Sequence, residues 1–242
     1  MRNTVFDRVA RDYEKIHDRS LPPGVSSDEF VRQKSECVAR WIREPAGDGV
    51  FRYLDFGCGN GRLFRYLLDS EALRTMFAKD RLRLFGVEPS VESLREAERI
   101  AGDERVRLVP RLQDLRSGER FDFIISCNVF HHIPPPDRAQ TARALRARMS
   151  PGARLVIWEH NPFNPLARLL VKVCPFDKEA RLLRLTATRR LFEGSGCRYL
   201  RHAYVNLFPP AWQRVKPLRA IDGALAVLPV GAQYWAMFTC HE

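Results

Sequence analysis

The sequence lacks any apolar run long enough to cross a membrane. A membrane-spanning helix needs about 20 consecutive apolar residues, and no segment of the 242 residues approaches that length. Residues 1–16 carry charges throughout and lack the apolar core of a secretory signal. We therefore expect a cytoplasmic protein with no membrane span.

Paired cysteines are also missing. The six cysteines are scattered along the chain, with no CxxC or CxxH pair among them. Without a secretory signal, reduced thiols are the default, and the spacing does not match a structural zinc site. We predict no disulfide framework and no metal site, although neighbouring carboxylates and histidines leave a divalent ion open.

Lysine is scarce, and arginine supplies 34 of the 40 positive residues behind the formal net charge of +11. The arginines are spread along the chain, whereas nucleic-acid-binding proteins usually group them on one face with aromatic residues. This distribution is typical of solvated helix faces, although an anionic substrate or a membrane surface could also account for it. We expect no specific nucleic-acid partner.

Short apolar segments alternate with amphipathic ones through the middle of the chain. The apolar segments have the length and composition of strands: 50–56, 82–88, 105–109, 121–127 and 153–159. The amphipathic segments have apolar residues at helical spacing: 60–70, 90–101 and 137–149. Two further strands are predicted at 197–208 and 231–240. The alternation predicts an α/β fold with a doubly wound, Rossmann-like, mostly parallel seven-stranded sheet.

The whole chain, 1–242, is predicted to be a single domain. Two helices, at 5–17 and 27–42, are expected to cover the ligand edge of the sheet. The long connection after the fifth strand is typical of a lid or binding insert. The predicted parts are an N-terminal helical cover (1–49), a core (50–160), an inserted lid (161–187) and a C-terminal helix with a strand pair (188–242).

The strongest local signal is DFGCGNG at 55–61, between a predicted strand and a predicted helix. Its glycines allow the backbone to turn sharply and to approach a ligand closely. A dinucleotide fingerprint would read GxGxxG or GxGxxA, but its last position is occupied by Arg62. Asp55 would also oppose a pyrophosphate. The motif therefore disfavours a dinucleotide.

Acidic residues follow three of the predicted strands at the same edge of the sheet. Asp55 precedes the glycines, Glu88 ends the second strand and Asp114 follows the third. A carboxylate after the second strand can accept hydrogen bonds from two ribose hydroxyls, and Asp114 can accept one from an adenine amino group. Three carboxylates at one edge favour a cationic nucleoside ligand without phosphate.

These motifs, in this order, resemble the class I methyltransferases that use S-adenosylmethionine (SAM). The matching segments are D-x-G-x-G-x-G after the first strand, then GVEPS, LQDL and FDFIISCNVFHHIP. The resemblance covers about residues 50–160 and is to the small-molecule type, similar to methyltransferase types 11 and 12. It implies SAM as the cofactor and methyl transfer as the reaction.

The resemblance also implies a role for each matching position. The glycine bend would surround the methionine part of SAM, Glu88 would hold the ribose, and Cys127 with Asn128 would lie beside the sulfonium. Lys34 is a further candidate for the SAM carboxylate, although a solvated lysine is the favoured interpretation. The implied cofactor-binding residues are Tyr13, Asp55, Gly57, Cys58, Gly59, Gly61, Glu88, Pro89, Asp114, Leu115, Cys127 and Asn128.

Three histidines are candidates for a catalytic base. His131 and His132 follow the fourth predicted strand, and His160 follows the fifth. A methyl group on a sulfonium mainly needs an aligned nucleophile, and a hydroxyl nucleophile benefits from a base that titrates near neutrality. The competing interpretation is that one histidine of a pair packs or anchors a loop.

The predicted reaction is methyl transfer to an oxygen, or to a nitrogen, of a small-molecule acceptor. The segments EHNPFNPLARLLVKVCPFD and LPVGAQYW resemble methyltransferases of saccharide or natural-product pathways. An RNA or protein methyltransferase is a second hypothesis, but CNVF stands where such enzymes carry NPPY or DPPY. A SAM-binding protein without methyl transfer is a third hypothesis, and a nicotinamide-dependent oxidoreductase is a fourth.

Overall fold

A computed structural model of the chain describes residues 13–19, 21–45, 47–175, 177 and 179–240. The strands are β1 Phe51–Phe56, β2 Leu82–Val87, β3 Val106–Val109, β4 Phe121–Cys127, β5 Met149–His160, β6 Cys197–Val205 and β7 Gln233–Cys240. The α-helices are α1 Tyr13–Arg19, α2 Ser27–Trp41, α3 Arg62–Leu68, α4 Arg74–Ala78, α5 Val91–Ala101, α6 Pro135–Ala147, α7 Pro165–Val173, α8 Leu185–Glu193 and α9 Lys216–Ala224.

The seven strands form one sheet in the order β3-β2-β1-β4-β5-β7-β6. The pairings from β3 to β5 are parallel, whereas β7 runs antiparallel to both β5 and β6. The strand order reverses between β1 and β4, and ligands of such sheets bind where the carboxyl ends of the strands diverge. The predicted Rossmann-like, mostly parallel sheet is confirmed.

Apolar side chains cover both faces of the sheet. One buried cluster includes Leu54, Ile124 and Leu155, and the other includes Tyr53, Phe123 and Val156. Neighbouring residues of one strand therefore belong to opposite clusters, as the alternation of side chains along a strand requires. The near-continuous apolar composition of β4 follows from this burial on both faces.

Local signals account for several helix ends. The Ser90 side chain accepts a hydrogen bond from the Ser93 backbone N–H at the start of α5, which is the usual role of serine at this position. Gly102 ends the same helix with φ 48°, in the left-handed region that favours glycine. The sequence predicts both residues as the bounds of this helix.

The predicted helix at 137–149 is wrong at both ends. In the structure α6 starts two residues earlier, at Pro135, because proline suits the first turn of a helix. Met149 and the three residues after it belong to β5, and Met149 pairs with Phe121 of β4. Strand pairing therefore overrides the helical spacing of the apolar residues at this point.

The N-terminal cover is described from Tyr13 onwards, so most of the predicted helix 5–17 lies outside the described residues. The second predicted helix is present as α2, which packs against α3. After β5, the segment 161–187 contains α7 and the start of α8. That this segment acts as a lid stays a prediction. Within the described ranges, no helix is long and apolar enough to cross a membrane.

Candidate active site

The predicted site residues converge where β2, β1, β4 and β5 end side by side. Asp55 lies near the end of β1, Cys127 ends β4, and His160 ends β5. Glu88 directly follows β2. Because these strands are parallel neighbours in the sheet, residues distant in sequence share one edge of the fold.

The bend after β1 depends on glycines, which have no side chain. The N–H groups of Gly57 and Cys58 both donate to the carbonyl oxygen of Val87, at 2.8 and 3.1 Å. Gly57 has φ +80°, and a Cβ at this position would collide with the side chain of Val129. Gly59 has φ +54° with open space where its Cβ would stand. The bend thus closes on the sheet at Gly57 and leaves room for a ligand at Gly59.

Glu88 holds this bend in place. Its Oε2 accepts a hydrogen bond from the Gly59 N–H at 3.0 Å, and its Oε1 accepts one from the Ser90 N–H at 2.9 Å. The Glu88 side chain is buried, whereas the neighbouring Pro89 is exposed. Gly61 completes the bend as the residue that precedes α3. Glu88 therefore links two adjacent loops and places a carboxylate beside the open space.

Asp55 is a buried acid with an unsatisfied oxygen. Only 3% of the residue is exposed, and its Oδ1 has no hydrogen-bond partner. Burial raises the pKa of Asp55 to about 7; the nearby Glu88 adds to this increase, and Lys34 opposes it. A buried polar atom without a partner is costly. Asp55 is therefore poised to accept a donor that the described residues do not provide.

Lys34 approaches the same region from α2. The residue is 7% exposed, so the favoured interpretation of a solvated lysine is wrong. Burial lowers its pKa, while Cys127, Glu159 and Asp55 act in the opposite direction. Its Nζ lies 5.8 Å from the ring centroid of Trp158, and no carboxylate oxygen of a described residue lies within ion-pair distance of it.

Asn128 has a second unsatisfied oxygen at this edge. Its backbone has φ 56°, and its N–H donates to the carbonyl oxygen of Trp158 at 2.7 Å. This contact fixes the loop after β4 on β5, while the Asn128 Oδ1 is buried without a partner. Burial raises the pKa of the adjacent Cys127 thiol. The pair thus presents neutral polar atoms beside Lys34.

The remaining predicted cofactor residues are arranged differently. Asp114 forms an ion pair with Arg111 at 2.9 Å, and this bond lowers the pKa of Asp114. Leu115 is buried in the core. Tyr13 begins α1, but its side chain lies outside the described residues. The structure thus brings the glycine bend, Glu88, Cys127 and Asn128 together, with Asp114 occupied by a neighbour.

Two of the predicted catalytic histidines lie beside buried carboxylates. The Nδ1 of His131 is 2.5 Å from Oε2 of Glu159, whose Oε1 accepts the backbone N–H groups of Val129 and Phe130. Oδ1 of Asp177 lies 3.4 Å from Nε2 of His131 and 3.2 Å from Nε2 of His132. The carboxylate of Asp177 thus links the loop after β4 to the segment after α7.

The charges in this cluster compensate one another. Burial alone would lower the pKa of His131, but Glu159 and Asp177 outweigh it and raise the pKa to about 9. The bonds to His131 in turn lower the pKa of Glu159 despite its burial. His160 behaves differently, because burial and the charge of His131 lower its pKa to about 3. At neutral pH His131 is therefore charged and His160 is neutral.

The same cluster could also hold a cation. Ligand atoms of His131, His160 and Asp177 all lie within 4.8 Å of one another. Imidazole and carboxylate are the ligands that zinc and other divalent transition metals accept. Any such ion would have to replace the proton on His131.

Two functional contacts could not be found by sequence reasoning. Asp177 is one of two acids in the segment 161–187, and nothing local predicts that it meets His131. In the sequence Arg62 stands out only as a mismatch to a dinucleotide fingerprint, yet its buried side chain bonds to Asp28 at 2.7 Å and to Ser27 at 3.0 Å. Arg62 thereby fixes α2, which carries Lys34, on the start of α3.

Comparison with known proteins agrees with this arrangement. Residues 54–155 match the family model described as a methyltransferase domain. No curated protein sequence matches the chain.

Three solved structures with similar folds are methyltransferases by their descriptions. A protein from Archaeoglobus fulgidus has a TM-score of 0.60 at 15% identity, covering 88% of this chain and 95% of its own. A possible histamine N-methyltransferase from Thermotoga maritima has a TM-score of 0.62 at 17% identity, covering 97% of both chains. Magnesium protoporphyrin IX methyltransferase from Synechocystis, with bound S-adenosylhomocysteine, has a TM-score of 0.61 at 17% identity, covering 97% of this chain and 99% of its own. At these identities the likeness shows a shared fold.

Proposed function

We propose that this chain uses SAM to methylate an oxygen of a small metabolite, because residues 54–155 match the family model described as a methyltransferase domain. A nitrogen is the second candidate for the acceptor atom, and a saccharide or natural-product intermediate is the proposed acceptor class. The family match supports SAM as the cofactor. The acceptor class depends only on the resemblance of residues 159–177 and 228–235 to methyltransferases of saccharide or natural-product pathways.

The observation that carries the proposal is the unsatisfied carboxylate of Asp55 beside the open space at Gly59. SAM carries an ammonium and a sulfonium but no phosphate, so it offers the positive donor that Asp55 lacks among the described residues. A dinucleotide would instead bring a pyrophosphate against two carboxylates, those of Asp55 and Glu88. The residues at this edge therefore fit SAM.

Each part of SAM has proposed partners among the residues of this edge. Asp55 would accept the ammonium, and Lys34 would take the carboxylate. Glu88 would accept the ribose hydroxyls, since each carboxylate oxygen can accept more than one hydrogen bond. The adenine would lie against Leu115 and, once released from Arg111, Asp114. Tyr13, Cys127 and Asn128 are proposed to line the rest of the cofactor site.

SAM supplies an activated methyl group, so the protein mainly has to align the acceptor and hold its proton. Of the three predicted histidines, His160 is our candidate for contact with the acceptor hydroxyl. It is neutral at physiological pH, and its ring makes no hydrogen bond to a described residue, so a nitrogen lone pair can accept a hydrogen bond from that hydroxyl. Its pKa of about 3 makes it a weak base, so its main role would be to orient the hydroxyl. The charged His131 would instead position the loop through Glu159 and Asp177. His132, half-buried beside Asp177, is the second candidate.

Titration of SAM into the purified protein tests the proposed cofactor site. We expect micromolar binding by the native chain and its loss in Asp55→Ala, with Glu104→Ala, an exposed acid, as the matched control. Retained binding by Asp55→Ala would refute the site, and failure of the native chain to bind SAM would refute the function.

Turnover tests the reaction itself. Mass spectrometry should detect S-adenosylhomocysteine released in step with a product heavier by one methylene. His160→Gln is expected to lower kcat with little change in SAM affinity, and by less than about 100-fold, the contribution of a general base that titrates near neutrality. If kcat is unchanged in His160→Gln but falls in His132→Gln, then His132 and not His160 contacts the acceptor hydroxyl.

A further inference from the structure

The exposed apolar side chains are concentrated in two segments, 163–173 and 212–230, which we call the apolar face. In the described part of the chain, ten of eleven exposed large apolar residues lie there: Phe163, Leu166, Leu169, Val173, Trp212, Val215, Ile221, Val227, Leu228 and Val230. The eleventh is Leu200 in β6. A cluster of this kind usually marks an interaction site.

Helix α7 is apolar on two opposite sides. Ala167 and Val171 are buried against the protein. Leu166, Leu169 and Val173 are about half-exposed, and their spacing places them on one side of the helix. The buried side packs α7 on the protein, whereas the other apolar side faces solvent.

Hydrogen bonds join the two segments. The Asn161 side-chain amide donates to the carbonyl oxygens of Pro229 and Gly231, at 2.9 and 2.8 Å. The Asn164 amide donates to the carbonyl oxygen of Val230 at 2.7 Å. The start of α7 is thereby fixed against the end of the second segment, which brings the exposed residues of α7 close to Val230.

The apolar face lies at the same edge of the sheet as the candidate active site. Its first segment follows His160 at the end of β5, and its second connects the end of β6 with the start of the antiparallel β7. A surface that docks here would therefore lie next to the proposed acceptor site.

The charges within the apolar face are almost all positive. Its cations are Arg168, Lys172, Arg214, Lys216 and Arg219, of which Arg214 forms an ion pair with Glu29 of α2 at 3.3 Å. Its one acid, Asp222, is buried and accepts a hydrogen bond from the Leu207 N–H at 2.7 Å. Beside the face, the Arg184 guanidinium lies 5.2 Å from the ring centroid of Phe163.

This composition fits a lipid surface better than a protein. Apolar side chains bordered by cations are characteristic of segments that lie in the interface of anionic bilayers. The core of a protein interface is instead depleted in charge. Two copies related by a two-fold axis would bring like-charged faces together.

We propose that the apolar face docks on the surface of an anionic membrane. The apolar side chains enter the boundary between headgroups and acyl chains, and the cations contact the lipid phosphates. Docking is independent of methyl transfer, so failure of the proposed function would leave it standing, and the reverse also holds.

Sedimentation of the full chain with vesicles tests the proposal without any methyl acceptor. We expect binding to vesicles of phosphatidylcholine mixed with phosphatidylglycerol, weaker binding to phosphatidylcholine alone, and loss of binding as salt increases. The double variant Arg168→Gln, Lys172→Gln should bind about fivefold more weakly for each cation removed.

The apolar contribution is tested with L166S, L169S and V173S combined. All three side chains are exposed, so circular dichroism should show an unchanged fold, while vesicle binding should fall at least tenfold. The matched control is Leu200→Ser, the exposed apolar residue outside the face, which should bind as the native chain does.

Two outcomes would overturn the proposal. One is failure of the native chain to bind phosphatidylglycerol vesicles at low salt. The other is a dimer, detected by light scattering, that the triple variant abolishes and Leu200→Ser preserves, because the face would then be a subunit interface.

Discussion

Two acidic centres lie at the same edge of the sheet and differ in how their negative charges are compensated. The first centre contains Asp55 and Glu88. No cation of a described residue lies within ion-pair distance of Asp55, its Oδ1 has no hydrogen-bond partner, and its pKa is raised to about 7. Around Glu159 and Asp177, His131 supplies a positive charge and both carboxylate pKa values are lowered. The first centre is short of a positive charge, and the second is complete.

This contrast separates ligand binding from support. An incomplete buried centre costs stability until a ligand completes it, so it is expected at a binding site. A complete centre stabilises the loops it joins, here the loop after β4 and the segment after α7. On this view Asp55 belongs to the cofactor and His131 to the scaffold, which leaves His160 for the acceptor.

The largest predicted effect on stability comes from removing the negative charge of Glu159 from the second centre. Glu159→Gln leaves the charge of His131 buried with reduced compensation, and it should lower the free energy of unfolding by about 3–5 kcal/mol. Urea denaturation measures this change. Glu193→Gln is the control, since the exposed pair with Arg189 should contribute less than about 0.5 kcal/mol. Equal effects of the two variants would remove the distinction between the centres.

Asp55→Asn should increase the free energy of unfolding, whereas Glu159→Gln should lower it. The folded protein holds the Asp55 proton up to about pH 7, whereas the unfolded chain releases it near pH 3.8. The contribution of protonated Asp55 to the free energy of unfolding is therefore complete below pH 3.8, the pKa in the unfolded chain, and is lost as the pH rises through 7. At pH 8 the neutral variant should be more stable by about 4 kcal/mol, since about 3 pKa units separate the folded and unfolded values, and it should bind SAM more weakly. Thermal unfolding at pH 5 and pH 8 checks this, and a less stable variant at pH 8 would contradict it.

The pH dependence of SAM binding sharpens the contrast further. An ammonium ligand requires ionised Asp55, so affinity should fall about tenfold for each pH unit below 7. Calorimetry across this range measures the slope. The residual affinity of Asp55→Asn should be flat with pH, and a parallel slope in that variant would assign the titration to another group.

Sequence reasoning is most successful where structure depends on local rules. The sheet, the bend at 55–61 and the cap at Ser90 follow from periodicity, glycine and a hydroxyl at a helix start. Lys34 and Asp177 depend instead on tertiary packing, because α2 and the segment after α7 meet the sheet edge only in the folded chain. Spacing along the chain therefore predicts Asp55, whereas neither the burial of Lys34 nor the partner of His131 can be inferred from it.

The smallest predicted effect concerns Lys34, which lies between the two centres and attracts both Asp55 and Glu159 without an ion pair to either. In Lys34→Met, the lost attraction to the two carboxylates is offset by the removal of a buried charge. The free energy of unfolding without SAM should therefore change by less than about 1 kcal/mol. Chemical denaturation against the exposed control Lys79→Met measures this. A loss of several kcal/mol would mean that Lys34 already neutralises Asp55, and the first centre would then have no need of a cationic ligand.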